Sequence, residues 1–263
     1  MRTTAIFNLK GGVGKTVTTC NLAAELAARD KRVVVIDADP QCNATDFLTG
    51  YSGLDFPWTL TDLLNGQQLA TELAAAGPLP AEPIAGIRLV PADEALALVD
   101  LAAIQQRRVA VSAIRDMCDA LAEEDSADYV LIDCPPSFSA ATVAALAAAD
   151  DVIIPLKIDA FSVKGVGVIM RQIVEMLSVN PELSVAGVLL TMVDLRTRVS
   201  REGRKLLEDS AVPMYKSCIR YSTELINDTF FGFPARKANP NGRAAQDYGA
   251  FCEEYLGGDL NGK

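Results

Sequence analysis

Short apolar runs that end in charge alternate along this chain with longer stretches whose apolar residues recur at helical spacing. The runs that read as strands are Thr4–Asn8, Arg32–Asp37, Ile87–Pro91, Tyr129–Asp133, Val152–Leu156 and Val185–Thr191. They are rich in Val, Ile and Leu and hardly interrupted, which predicts strands buried on both faces. Between them, Lys15–Arg29, Ala92–Glu123, Ser139–Ala149, Ser162–Ser178, Arg198–Ser210 and Gly242–Tyr255 predict helices. This alternation implies an α/β fold: a doubly wound, mostly parallel sheet flanked by helices, with ligands at the carboxyl ends of its strands. The Pro/Gly-rich stretch Ala76–Gly86 reads as an insertion between two βα units. No repeat or low-complexity tail breaks the pattern, so one domain over residues 1–263 is expected.

Composition narrows the chemistry. Half of the 263 residues are apolar, enough for one large core, yet no apolar run approaches a membrane span. Met1-Arg2-Thr3-Thr4 leads directly into the first strand. The reading therefore expects no signal peptide, no DNA-reading domain ahead of that strand, and a soluble cytoplasmic protein. The cysteines, Cys20, Cys42, Cys118, Cys134, Cys218 and Cys252, form no C-x-x-C pair, which argues against a disulfide framework or a zinc site. Histidine is absent, which removes the usual general base and any Ser-His-Asp or Cys-His mechanism. A net charge of −10 opposes bulk attraction to nucleic acid.

Asn8 to Thr19 read N-L-K-G-G-V-G-K-T-V-T-T. They follow a strand and open a helix, the context in which a phosphate loop is credible. Gly11, Gly12 and Gly14 let the backbone turn tightly with its N–H groups inward, and the helix adds its positive end. The expected nucleotide-binding set is Lys10, Gly11, Gly12, Val13, Gly14, Lys15, Thr16 and Val17. Lys15 would reach the β- and γ-phosphates of ATP, and Thr16 would ligate Mg²⁺. The general pattern G-x-x-x-x-G-K-[ST] asks for Gly where this chain has Leu9, and Lys10 follows it. Asp37-Ala38-Asp39-Pro40-Gln41-Cys42-Asn43 puts two carboxylates at the end of the second strand. A buried Asp there needs a partner, either Mg²⁺ and its waters or a helix end to cap. Tyr129–Asp133 closes an apolar run with a carboxylate expected to bind Mg²⁺, and Pro135-Pro136 forces an extended turn after it.

With Lys10, K-G-G-V-G-K-T is similar to the deviant Walker A motif of the ParA/MinD group. Joined to the D-x-D-P-Q-x-N and Walker-B-like segments, it makes the chain resemble the ParA/Soj family of DNA-segregation ATPases. Val188–Thr197, Ile219–Glu224 and Gly232–Tyr248 extend the resemblance over most of the chain, most weakly at Tyr51–Gly86. The resemblance implies a cycle in which ATP and Mg²⁺ bring two copies into a homodimer with the nucleotides at the interface. Lys10 would reach across to the partner's phosphates. Asp39 would orient the attacking water, and Asp37 and Asp133 would serve the metal. The dimer would bind nonspecific DNA on the nucleoid, and a ParB-type centromere-binding partner would stimulate hydrolysis.

Charge offers a separate indication. From Leu195 to Arg220, seven basic residues meet three acidic ones in an otherwise acidic chain. Arg196, Arg198, Arg201, Arg204, Lys205 and Arg220 are the candidate DNA surface, with Arg201, Arg204 and Lys205 on one helical face. An ordinary solvated helix face is the plain alternative. Two rivals share the nucleotide chemistry. A MinD-like membrane-positioning ATPase needs a basic amphipathic C-terminal helix, where this chain has the acidic, Gly-rich Phe251–Asp259, so no membrane contact is expected. An ATP-dependent ligase of the dethiobiotin-synthetase type would lack the basic stretch and would not respond to DNA.

Overall fold

The computed structural model describes residues 1–50, 56–66, 79–80, 84–105, 109–159, 162–210 and 212–257. Its strands are β1 (Arg2–Ile6), β2 (Val33–Asp37), β3 (Leu79–Pro80), β4 (Ile87–Val90), β5 (Tyr129–Asp133), β6 (Asp151–Lys157), β7 (Ser184–Val193) and β8 (Met214–Arg220). Its helices are α1 (Lys15–Ala27), α2 (Asn43–Thr49), α3 (Leu60–Leu64), α4 (Val99–Ile104), α5 (Ala113–Glu123), α6 (Ala140–Ala148), α7 (Ser162–Met176), α8 (Arg198–Glu208), α9 (Thr223–Phe230), α10 (Ala235–Ala238) and α11 (Arg243–Gly257).

The strands form one sheet in the order β3-β4-β2-β5-β1-β6-β7-β8. Seven strands run parallel, and only the two-residue β3 is antiparallel, against β4. Successive residues of a strand face opposite sides. Ala5, Phe7, Val34, Ile36, Val130 and Ile132 therefore pack under α5, α6 and α7. Ile6, Val33, Val35 and Leu131 pack under α1 and α11. Each such side chain is almost fully removed from water, a gain of about 1.5–3 kcal/mol apiece for all but Ala5. This two-sided burial is why the strand sequences are apolar throughout. Arg2 donates to Asp151 at 2.7 Å and lies 4.2 Å from the centre of the Tyr255 ring, which holds α11 to the far end of the sheet.

The structure departs from the sequence reading in three places. Ala92–Glu123 is not one helix: a 3-10 turn at Glu94–Leu98 leads into α4, and α5 starts afresh at Ala113. Asp93 takes the Leu96 N–H at 3.1 Å and caps that turn. Leu79–Pro80, inside the expected loop Ala76–Gly86, pairs with β4, while 76–78 and 81–83 lie outside the described residues. The third is β8, an edge strand with Lys216 exposed between inward-facing Tyr215 and Ile219, too polar to stand out as an apolar run. Of the acidic C-terminal stretch, residues after 257 lie outside the described set. Among the described residues no helix is long and apolar enough to cross a membrane.

Candidate nucleotide site

The sheet order places β5 between β1 and β2, and its register aligns Asp133 with Ile6 on one side and Asp37 on the other. The segments that follow all three strands therefore meet at one edge, where α/β sheets bind ligands. After β1 the chain turns through Gly12 (φ 69°) and Gly14 (φ 86°), left-handed conformations that glycine adopts without strain. Gly14 is the N-cap of α1 and gives no side-chain bond, and no acidic residue stands in the first turn. The helix thus presents unsatisfied N–H groups and a positive end to the space above Gly11 and Gly12, where nothing lies within 4 Å of an added Cβ.

Lys15 is buried at the base of that space, its Nζ 3.4 Å from the Lys10 carbonyl. Burial pulls its pKa below the ordinary lysine value, and the carboxylates of Asp133 and Asp39 offset part of that. The Thr16 hydroxyl donates to Asp133 Oδ2 at 2.6 Å, and Thr19 donates to Oδ1 at 3.2 Å. Asp133 has no exposure, and burial, with Asp37 next, pushes its pKa up to about 8. A hydroxyl and a buried carboxylate short of positive charge fit a divalent cation that takes oxygen ligands and keeps several waters. Thr16 and Asp133 would hold it.

Asp39 is also buried and lines a cavity of about 370 Å³ with Gly11, Gly12, Lys15, Thr16, Asn43 and Pro136. It accepts the Gln41 N–H at 2.9 Å. Asp37, expected in the metal shell, is not brought to this cavity. Its Oδ2 accepts both the N–H and the hydroxyl of Thr45 at 2.8 Å, and its Oδ1 accepts the Asp39 N–H at 3.1 Å. It does for α2 what the N-cap residue Cys42 does not, since Cys42 makes no side-chain cap bond. Burial raises the Asp37 pKa to about 6, against the pull of those donors.

Of the other loop residues, Val13 is buried and its carbonyl accepts the Thr191 hydroxyl at 2.8 Å, while Val17 lines the cavity. Lys10 does not line it; its ammonium pairs with Asp159. Beyond Gly14 the cavity adjoins an apolar cleft of about 180 Å³ walled by Val17, Met192, Ile219, Tyr221, Leu225 and Ile226. Met192 borders both spaces and holds a left-handed backbone (φ 53°), which costs a non-glycine residue about 1–3 kcal/mol. This cleft was not legible in the sequence, because its walls come from four separate elements.

The six basic candidates do not form one open patch. Arg196 pairs with Asp194, Arg198 with Glu202 and Arg204 with Glu208. Arg220 is gripped by both oxygens of Asp247 and borders the apolar cleft. Among the described residues Arg201 donates to the Arg196 carbonyl, and Lys205 stands exposed on α8. Arg196 and Arg220 instead meet Arg243, at the start of α11, around a depression of about 300 Å³. Arg243 was missed, being distant in sequence from the basic run. α8 sits close to the sheet because Gly203 has no Cβ; one added there would fall 2.4 Å from Ile158 Cγ2.

A family model described as an AAA domain matches residues 1–185. The chain is 40% identical over 206 residues to the chromosome partitioning protein ParA of Caulobacter vibrioides, covering 78% of this chain and 74% of that protein. It is 34% identical over 260 residues to the chromosome-partitioning ATPase Soj of Thermus thermophilus, covering 97% and 96%. Among solved structures it matches the cobyrinic acid a,c-diamide synthase of Mycobacterium smegmatis with bound ADP and magnesium. That match has a TM-score of 0.78 and 30% identity over 97% of this chain and 94% of the other.

Proposed function

The chain belongs to the ParA/Soj family of partitioning ATPases, and from that premise we propose that it hydrolyses Mg²⁺·ATP in a cycle of dimerisation and DNA binding. One observation carries the catalytic part: Lys15, Thr16 and Asp39 line a cavity at the ends of β1, β2 and β5, with the buried Asp133 behind Thr16 and hydrogen-bonded to it. Phosphoryl transfer asks for positioning and charge rather than covalent chemistry, and this group supplies both. Lys15 neutralises the β- and γ-phosphate oxygens. The Thr16 hydroxyl, which donates to Asp133, would offer its oxygen to Mg²⁺. Asp39, at the cavity wall, accepts a hydrogen bond from the attacking water. Held by Thr16 and Asp133, a divalent cation would supply positive charge against the phosphate oxygens. The apolar cleft between Met192, Tyr221 and Leu225 takes the adenine ring.

Lys10 lies outside its own cavity, which favours a role across a homodimer. The ATP dimer binds nonspecific DNA through α8 and the Arg196–Arg220–Arg243 depression, associates with the nucleoid, and turns over faster with a ParB-type partner. Dimerisation doubles these cations, enough to overcome the repulsion of an acidic chain. The test is turnover and DNA binding measured with and without ATP at two salt concentrations. ATP-dependent, salt-sensitive, sequence-independent DNA binding is expected. ATP hydrolysis with no DNA binding at low salt would turn the reading toward a small-molecule synthase, the class named for the Mycobacterium smegmatis structure.

A further inference from the structure

Lys10 stands where the general phosphate-loop pattern has no lysine, and its backbone is fixed by a buried side chain. Its N–H donates to Asn8 Oδ1 at 2.9 Å, and Asn8 Nδ2 donates to the Pro155 carbonyl at 2.7 Å. The stem of the loop is thereby pinned to β6. From this fixed start the Lys10 side chain leaves the phosphate cavity, and its ammonium donates to Asp159, just beyond the end of β6. The two side chains keep 44% and 33% of their exposure. A pair this wet is weak and exchanges readily, unlike the buried contact between Thr16 and Asp133.

We propose that Asp159 is a positioning residue that parks Lys10 on its own chain until a second copy presents nucleotide phosphates, so that dimerisation is an exchange of one anion for another. The inference rests on the reading that Lys10 acts across the dimer. A parked lysine gives a threshold. A carboxylate carries one negative charge, whereas a terminal phosphate with its neighbours carries more, and a triphosphate most of all, so the exchange runs forward toward a partner holding nucleotide and furthest toward one holding the triphosphate. The arrangement also keeps a second ammonium away from Lys15 while the cavity is being filled. Gly203 of α8 rests on Ile158, the residue before Asp159, so the parking site is built against the helix that carries Arg201, Arg204 and Lys205.

The experiment compares wild type with Asp159→Asn, Asp159→Glu, Lys10→Ala and the Lys10→Ala/Asp159→Asn pair, using a slowly hydrolysed ATP analogue. Dimerisation is followed by light scattering over a range of protein concentrations. In nucleotide-free protein, Lys10 labelling by an acylating reagent is read by mass spectrometry. Asp159→Asn should label Lys10 faster and should dimerise at a roughly fivefold lower concentration, since two weak pairs no longer have to break per dimer. Asp159→Glu should behave as wild type, and nucleotide affinity of the monomer should not move. An unchanged or higher dimerisation midpoint in Asp159→Asn overturns the proposal. So does a shift that persists when Lys10 is already Ala, because charge at the interface would then be the cause. Dimerisation undiminished in Lys10→Ala alone overturns the underlying reading of Lys10, and that arm does not involve Asp159.

Discussion

The phosphate cavity and the outer face of α8 are both rich in charge, and they hold it in opposite ways. At the cavity and directly beneath it, Lys15, Asp39, Asp133 and, one strand over, Asp37 are nearly out of water, and the hydrogen bonds of Thr16 and Thr19 hold Asp133 while that of Thr45 holds Asp37. Such groups are costly unless partnered, so each has a fixed place and the loss of one is felt by all. Just before α8 and at its first residue, Arg196 and Arg198 are 90% and 82% exposed and pair with carboxylates two and four residues away. Those pairs contribute little and any one is replaceable. The first region concentrates its function in a few atoms; the second spreads it over a field.

The comparison breaks most visibly at Lys15. Lys15→Ala removes the only ammonium that lines the cavity among the described residues and leaves Asp39 and Asp133 without their cation. Nucleotide affinity, measured by titration calorimetry, should fall at least about 100-fold. Affinity within a fewfold of wild type would mean that the helix end alone holds the phosphates. Asp39→Ala tests the other half of the site. ATP binding should persist while turnover drops by about 100-fold or more, with the ATP dimer accumulating. Wild-type turnover in that variant would remove Asp39 from the reaction.

These residues were readable because strand ends fix them: an apolar run, then a carboxylate or a glycine loop, leaves little choice about where the next side chain goes. Asp37 shows the limit of that logic. Its position at the end of β2 was legible, but the sequence reading left metal support and helix capping both open, and only the approach of Thr45 makes it a cap for α2. The adenine cleft was not legible, since Val17, Met192, Tyr221 and Leu225 meet only through the sheet order. Nor was the pairing of Lys10 with Asp159, which spans 149 residues. On the surface, composition located the basic segment but not its pairing. Arg220 was counted in the candidate DNA surface and is instead locked to Asp247.

That difference separates two arginine substitutions. Arg201→Glu with Lys205→Glu should lower the affinity of the ATP dimer for duplex DNA by about tenfold at low salt. It should flatten the slope of log affinity against log salt by about one per lost phosphate contact. ATP-dependent dimerisation and melting temperature should hardly change. Arg220→Ala should behave as a cavity-type residue would, leaving the buried Asp247 carboxylate with the backbone N–H at 220 but no cation, and lowering stability by about 1–3 kcal/mol in thermal melts. If Arg220→Ala melts like wild type and loses only DNA binding, Arg220 belongs to the surface field after all.

The smallest effect sharpens the contrast most. Arg204 donates to Glu208 Oε1 at 2.8 Å and to the Lys216 carbonyl at 3.3 Å, and both members of the pair touch water. Glu208→Gln keeps the size of the side chain, removes its charge and releases the guanidinium. An exposed i,i+4 pair contributes about 0.3–0.5 kcal/mol, so the melting temperature should stay within about 2 °C. The helix meanwhile loses one of its two carboxylates, Glu202 and Glu208, and its field becomes more positive. DNA affinity of the ATP dimer should rise about two- to threefold at low salt, and the gain should disappear near 0.5 M salt, where screening is nearly complete over these distances. Fluorescence anisotropy with labelled duplex DNA resolves a change of that size. A gain indifferent to salt would mean that Glu208 acts by shape rather than charge, and a large loss of stability would mean that α8 holds its charges as tightly as the phosphate cavity does.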